Sequence, residues 1–125
     1  MSSYKEMSGR NEAIFSKAKL RNYQNRKQIQ VSWIIKGEKK MGLHCFINCY
    51  PNDLKMGQLL KSSLPHNLDK NEHKKLETFL NSRYAKKPFT LKSKYNPETG
   101  YNEVISIKPD FAVPCFTEFL KESSR

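Results

Sequence analysis

The chain has 125 residues, a single-domain length, and its 37% hydrophobic content with seven Phe, six Tyr and one Trp supports a packed core and excludes global disorder. Lys and Arg total 23 against 12 Asp plus Glu, a net charge of +11 that points to a polyanionic partner. The longest apolar runs, such as Val31 to Ile35 with Ser32 inside it, are far below the roughly 18 residues of a membrane-spanning helix, so no membrane partner is expected.

Further classes fall away on local sequence. The first ten residues hold no apolar stretch of the kind a secretory signal needs, so export is not expected. Three cysteines, Cys45, Cys49 and Cys115, are too few and too scattered for a disulfide framework. A reducing cytoplasmic or nuclear setting follows as the expectation. Residues 1–10 read as a flexible basic N-terminus and 11–125 as one domain, with no repeat or low-complexity linker dividing them.

From Asn11 to about Gln28 the spacing of Ile14, Phe15 and Ala18 predicts a weakly amphipathic helix, with Lys17, Lys19, Arg21 and Arg26 spread around the rest. Gln28 to Ile35 then alternates, placing Ile29, Val31, Trp33 and Ile35 on one face of a strand. A turn at Lys36 to Lys40 leads into a second alternating run through Leu43, Cys45 and Ile47, so the two form a hairpin. After Pro51-Asn52-Asp53, the residues Met56, Leu59, Leu60 and Leu64 recur at helical spacing until Pro65. Asp69 and Glu72 stand at the capping-box spacing ahead of Leu76, Phe79, Leu80 and Tyr84, which predicts a second helix.

Phe89 to Tyr95 and Tyr101 to Lys108 alternate on either side of Asn96-Pro97-Glu98-Thr99-Gly100, a strong turn, and form a second hairpin. Its expected inner face is Phe89, Leu91, Tyr95, Ile105 and Ile107, with Lys92, Lys94 and Lys108 outside. Pro114 opens a short C-terminal helix through Phe116, Phe119 and Leu120. The expected fold is therefore α+β: an N-terminal helix, two β-hairpins forming an antiparallel sheet around a helix pair, and a C-terminal helix, in the order α-ββ-αα-ββ-α. Exposed sheet edges leave pairing into a homodimer open.

The charge is polarised, since residues 1–40 carry ten Lys or Arg against three Glu, a net of +7. Arg10, Lys17, Lys19, Arg21, Arg26 and Lys27 are accordingly candidate phosphate contacts on the basic N-terminal helix. The outer side of the first hairpin displays Gln28, Gln30, His44, Phe46, Asn48 and Tyr50 beside Lys39 and Lys40 at the turn. Rings among amides and cations suit the stacking of unpaired bases, with Tyr23, Phe46 and Tyr50 as stacking candidates. The alternative is a helix, such as the N-terminal one, laid over this side, which makes Ile34, Phe46 and Tyr50 core residues. Lys86, Lys87, Lys92 and Lys94 on the second hairpin suit a phosphate backbone, or simply protect a sheet edge from pairing.

His44, Cys45 and Cys49 invite a zinc reading, but residues four apart on a strand lie ~13 Å from one another and His44 points to the opposite face. No metal, cofactor or catalytic residue is assigned. His44, His66 and His73 leave a metal-independent ribonuclease as an alternative, although no phosphate-binding glycine loop or nucleophile elbow occurs. The leading expectation is a small non-enzymatic protein that binds RNA or DNA. Its specificity should be modest, because Lys outnumbers Arg eighteen to five. A competing expectation is a factor that docks on an acidic surface of a larger nucleic-acid-processing machine. The abundance of Asn and Lys fits AT-rich coding of the kind common in viral or mobile elements.

Overall fold

The computed structural model describes residues 8–37 and 41–123. Residues 1–7 of the expected basic N-terminus, and Lys39 and Lys40, lie outside the described residues. The elements in chain order are β1 (Gly9–Tyr23), β2 (Arg26–Ile35), β3 (Met41–Asn48), α1 (Leu54–Leu60), α2 (Lys70–Arg83), β4 (Pro88–Asn96), β5 (Tyr101–Pro109) and α3 (Phe116–Ser123). The five strands form one antiparallel sheet in the order β3-β2-β1-β4-β5.

The expected N-terminal helix is absent, and its residues form β1, the longest strand and the centre of the sheet. A β-bulge between Phe15 and Lys17 explains the helical appearance of the sequence. Before the bulge Ala13 and Phe15 point to the core, and after it Ala18 does so, with Leu20 packed against the same cluster. One inserted residue converts a period of two into a local spacing of three, and Phe15 to Ala18 then imitates one turn of helix. The basic residues Lys17, Lys19 and Arg21 are thus strand residues, and a fold with a basic helical arm does not form.

β1 serves two hairpins. Residues 13–23 pair with β2, and residues 9–14 pair with β4 on the opposite edge. The rest of that second edge is closed from outside the sheet. Phe15 donates to the Lys87 carbonyl and accepts from the Lys86 N–H, both at 3.0 Å. Asn81 on α2 accepts from the Ala18 N–H and donates to the Ala18 carbonyl, each at 2.8 Å, and Glu77 accepts from the Leu20 N–H at 2.6 Å. Four residues of helix advance about 6 Å, close to the ~6.7 Å covered by two residues of strand, so Glu77 and Asn81 match Leu20 and Ala18 in register.

The helices cover one face of the sheet. Phe15, Trp33 and Phe89 from three adjacent strands meet with ring centroids 5.8–6.4 Å apart, and Tyr84 joins them from the end of α2. Burial pushes the Tyr84 phenol well above its ordinary range, and its hydroxyl donates to the Leu59 carbonyl at 2.8 Å. α1 starts at Asp53, whose carboxylate accepts from the Met56 N–H, and stops at Lys61 in a left-handed conformation, one turn earlier than Leu64 suggests. α2 carries the reciprocal Asp69–Glu72 capping box. A second bulge, at Ile105, corrects the expected face of the second hairpin: Val104 points to the core opposite Ser93, while Ile105 is exposed.

β3 and β5, at the two ends of the sheet, run in the same direction and come into contact, with α1 touching both. A three-stranded meander, a helical crossover and a hairpin returned to the first strand make up the connectivity. Among the described residues no helix is long and apolar enough to cross a membrane.

Two stability predictions follow from these contacts. Asn81→Ala strips Ala18 of both partners at a strand edge and should cost about 1–2 kcal/mol in urea unfolding; an unchanged midpoint would mean that solvent replaces the amide. His73 on α2 is 7% exposed, and neither of its ring nitrogens has a hydrogen-bond partner among the described residues. Burial chiefly, with the Lys27 ammonium, lowers its pKa from the ordinary 6.5 against the opposing pull of Asp69 and Glu72. The unfolded chain therefore takes up this proton first, so stability is intact above about pH 6.5 and is lost as the pH falls through the lowered folded value. Replacing His73 by Leu should flatten that loss in urea midpoints measured at about pH 7.5 and about pH 5, and an equal acid loss in wild type and variant would refute the assignment.

Candidate nucleic-acid interface

Among the described residues no element covers the face of the sheet opposite the helices over β1, β2 and β3. The bulge at Ser16 decides what it displays: past that point the odd-numbered residues of β1 turn outward, so Lys17, Lys19, Arg21 and Tyr23 leave the core side together. Ladder register then aligns them with the outward residues of β2 and β3. Lys17, Ser32 and His44 make one row, Lys19, Gln30 and Phe46 the next, and Arg21, Gln28 and Asn48 the third. At ordinary strand spacings this array covers roughly 10 Å by 13 Å.

The array is internally ordered. The Ser32 hydroxyl lies 2.8 Å from His44 Nδ1, and Gln28 Nε2 donates to Asn48 Oδ1 at 2.9 Å. The Arg21 guanidinium reaches across β2, with its carbon 4.5 Å from the centroid of the Phe46 ring and 5.7 Å from that of Tyr23. Such cation–π contacts are worth about 0.5–2 kcal/mol and hold a long side chain in place. Phe46 remains 47% exposed and Tyr23 49%, enough free ring surface for a ligand to stack on. No carboxylate belongs to the nine positions, and Lys17, Lys19 and Arg21 form no ion pair among the described residues.

The other candidates distribute as follows. Arg10 and Lys92 lie opposite each other on the β1–β4 ladder, separated from the array by the hydrophobic row of Ile14 and Ile34 and by Glu12. Arg26 flanks Tyr23 at the β1–β2 turn, where Gln24 and Asn25 both have positive φ as a two-residue hairpin loop requires. Lys27 belongs to the opposite face, near His73 and Cys49. Tyr50, 38% exposed, lies beyond β3 in the turn toward α1. Lys86 and Lys87 precede β4 beside Phe15, and Lys94 stands across from Glu103, which offsets its charge.

Among the described residues no helix lies over this face, so Ile34, Phe46 and Tyr50 are surface residues. Residues outside the original candidates, namely Gln28, Gln30, Ser32, His44 and Asn48, complete the array. Their alternation with the core residues of hairpin one is visible in the sequence, whereas their alignment with Lys17, Lys19 and Arg21 depends on the bulge.

The histidines are not gathered. His44 is on the open face, His66 contacts Glu72 at 2.7 Å ahead of α2, and His73 is buried. Cys45 and Cys49 face the core as free thiols, and burial pushes their pKa values up to about 11 and about 12. Among the described residues no group of three or more His, Cys, Asp or Glu could hold a metal ion. Comparison with known proteins gives no family to which the chain can be referred: no protein-family model matches it, and no curated protein matches it significantly.

Proposed function

We propose that the chain is a non-enzymatic single-stranded nucleic-acid-binding domain whose site is the open face of β1, β2 and β3. The observation that carries this reading is the uncovered array itself, where Phe46 and Tyr23 stand exposed among unneutralised Lys17, Lys19 and Arg21. Exposed rings stack unpaired bases, and ammonium groups two residues apart along a strand track successive phosphates. Duplex DNA keeps its bases stacked inward, which leaves the rings without a partner. The connectivity, which resembles that of a partly open five-stranded OB barrel, supports the reading by analogy, because the outer face of the second and third strands of OB barrels is a common oligonucleotide site.

The buried, high-pKa thiols of Cys45 and Cys49 suit an intracellular protein, cytoplasmic or nuclear, that has no use for a disulfide. Docking on an acidic protein surface predicts a different outcome, since it requires no affinity for free oligonucleotides.

Fluorescence anisotropy with labelled single-stranded and duplex oligonucleotides at two salt concentrations tests the proposal. Single strands should bind more tightly than duplexes, with affinity falling steeply as salt rises. Phe46→Ala should cost about 1–3 kcal/mol of single-strand affinity while costing stability in urea only the ~0.5–1 kcal/mol of its exposed contact with Arg21. Converting Lys17 and Lys19 together to Gln should weaken all sequences alike and reduce the salt slope by about 0.7 for each lost phosphate contact. Binding no tighter than that of an inert protein of equal charge would sink the reading.

A further inference from the structure

We infer that Arg21 reads guanine in the bound single strand, an inference that rests on the open face being a single-strand site. Within the array the cations divide into two kinds. Lys17 and Lys19 carry compact ammonium groups on flexible exposed stems, which suit phosphates without demanding orientation. Arg21 is half-buried and held by two rings, and a planar fork fixed in advance loses little freedom when it forms paired hydrogen bonds.

The donors of that fork are unspent. Arg21 Nε is buried without a hydrogen-bond partner, while the two terminal nitrogens are neither buried nor bonded to any acceptor among the described residues. An arginine fixed against a ring and left without a carboxylate presents a bidentate donor pair to whatever occupies the face. Beside it, directly across the ladder, is Gln28. The Gln28 amide nitrogen donates to Asn48, which leaves its carbonyl oxygen as an acceptor on the same row of the open face as Arg21.

Two donors followed by an acceptor match one base. Along its edge guanine presents N7 and O6, both acceptors, and then the N1–H donor, so Arg21 takes the first two and Gln28 the third. Adenine offers an acceptor, a donor and an acceptor in the same positions and opposes both residues. Thymine presents its methyl group, the O4 acceptor and then the N3–H donor, so it suits Gln28 but leaves one arm of the fork against a methyl group, and cytosine meets the fork with an amino group. Phosphate also accepts two hydrogen bonds from arginine, but it would leave the Gln28 carbonyl beside an anion, and Lys17 and Lys19 are available to phosphates on the same strand.

The test is anisotropy with a short single-stranded thymine oligonucleotide, compared with the same oligonucleotide carrying one central guanine, 7-deazaguanine or adenine. Guanine should tighten binding about fivefold to a hundredfold, and adenine should give no gain. Replacing N7 by carbon should remove most of the gain without any change to the protein. Arg21→Lys, which keeps the charge and loses the fork, should abolish the preference and bind all four oligonucleotides within about twofold of one another. Equal wild-type affinity for guanine, 7-deazaguanine and adenine overturns the inference and leaves single-strand binding standing, as does an Arg21→Lys loss spread evenly over all four, which would mark a phosphate contact. Failure of every oligonucleotide to bind overturns the underlying reading as well.

Discussion

The fold depends on satisfying the backbone of one strand. β1 runs through the centre of the sheet for fifteen residues, and its N–H and C=O groups need partners along both edges because the strand is covered by α2 on one face. β2 supplies one edge in a simple hairpin. The other edge is shared in sequence among β4, the backbone of Lys86 and Lys87, and the side chains of Asn81 and Glu77. This relay lets a single strand form a hairpin with β2 and also hold the β4–β5 hairpin along its other edge, while the outer strands β3 and β5 come into contact. Helix α2 is therefore more than an apolar lid: its polar edge completes the hydrogen bonding of the sheet.

The same strand organises the candidate site. A bulge is a small defect in a ladder, yet here it decides which residues meet the core and which meet solvent. Without the bulge, with Ser16 taking an ordinary step of the pleat, Lys17, Lys19 and Arg21 would point into the cluster of Phe15, Trp33 and Phe89, where unpaired charges are prohibitively costly. With it, three cations rise from the middle of a rigid sheet alongside amides, a histidine and a phenylalanine from β2 and β3. Side chains on such a scaffold are better fixed than side chains on loops, and the Ser32–His44, Gln28–Asn48 and Arg21–Phe46 contacts fix them further.

Local signals were legible wherever the period was unbroken. Hairpin one follows from strict alternation, α2 from the Asp69–Glu72 box and the spacing of Leu76, Phe79 and Leu80, and hairpin two from Asn96-Pro97 and Gly100. The two failures in the strands coincide with bulges. Ser16 made β1 resemble a helix, and Ile105 exchanged places with Val104 in the expected inner face. Periodicity arguments assume one residue per step of the pleat, so an inserted residue is invisible until a partner strand supplies the register. The candidate site suffered in the same way: Phe46 and the basic residues of β1 were each evident, but their meeting across β2 is a property of pairing alone.

The β1–β2 turn has a consequence for how the protein can change over time. Gln24 and Asn25 close the hairpin with the fewest residues the strands allow, and each flanking pair alternates strictly between core and open face. Substitutions on the open face leave the packing intact, so the fold itself does not restrain them. Insertions and deletions are quantised instead: a matched pair of residues, one on each strand, lengthens the ribbon, whereas an unmatched residue between the bulge and the tip turns the cationic row inward. Among homologues the length of this segment should therefore be better preserved than its composition.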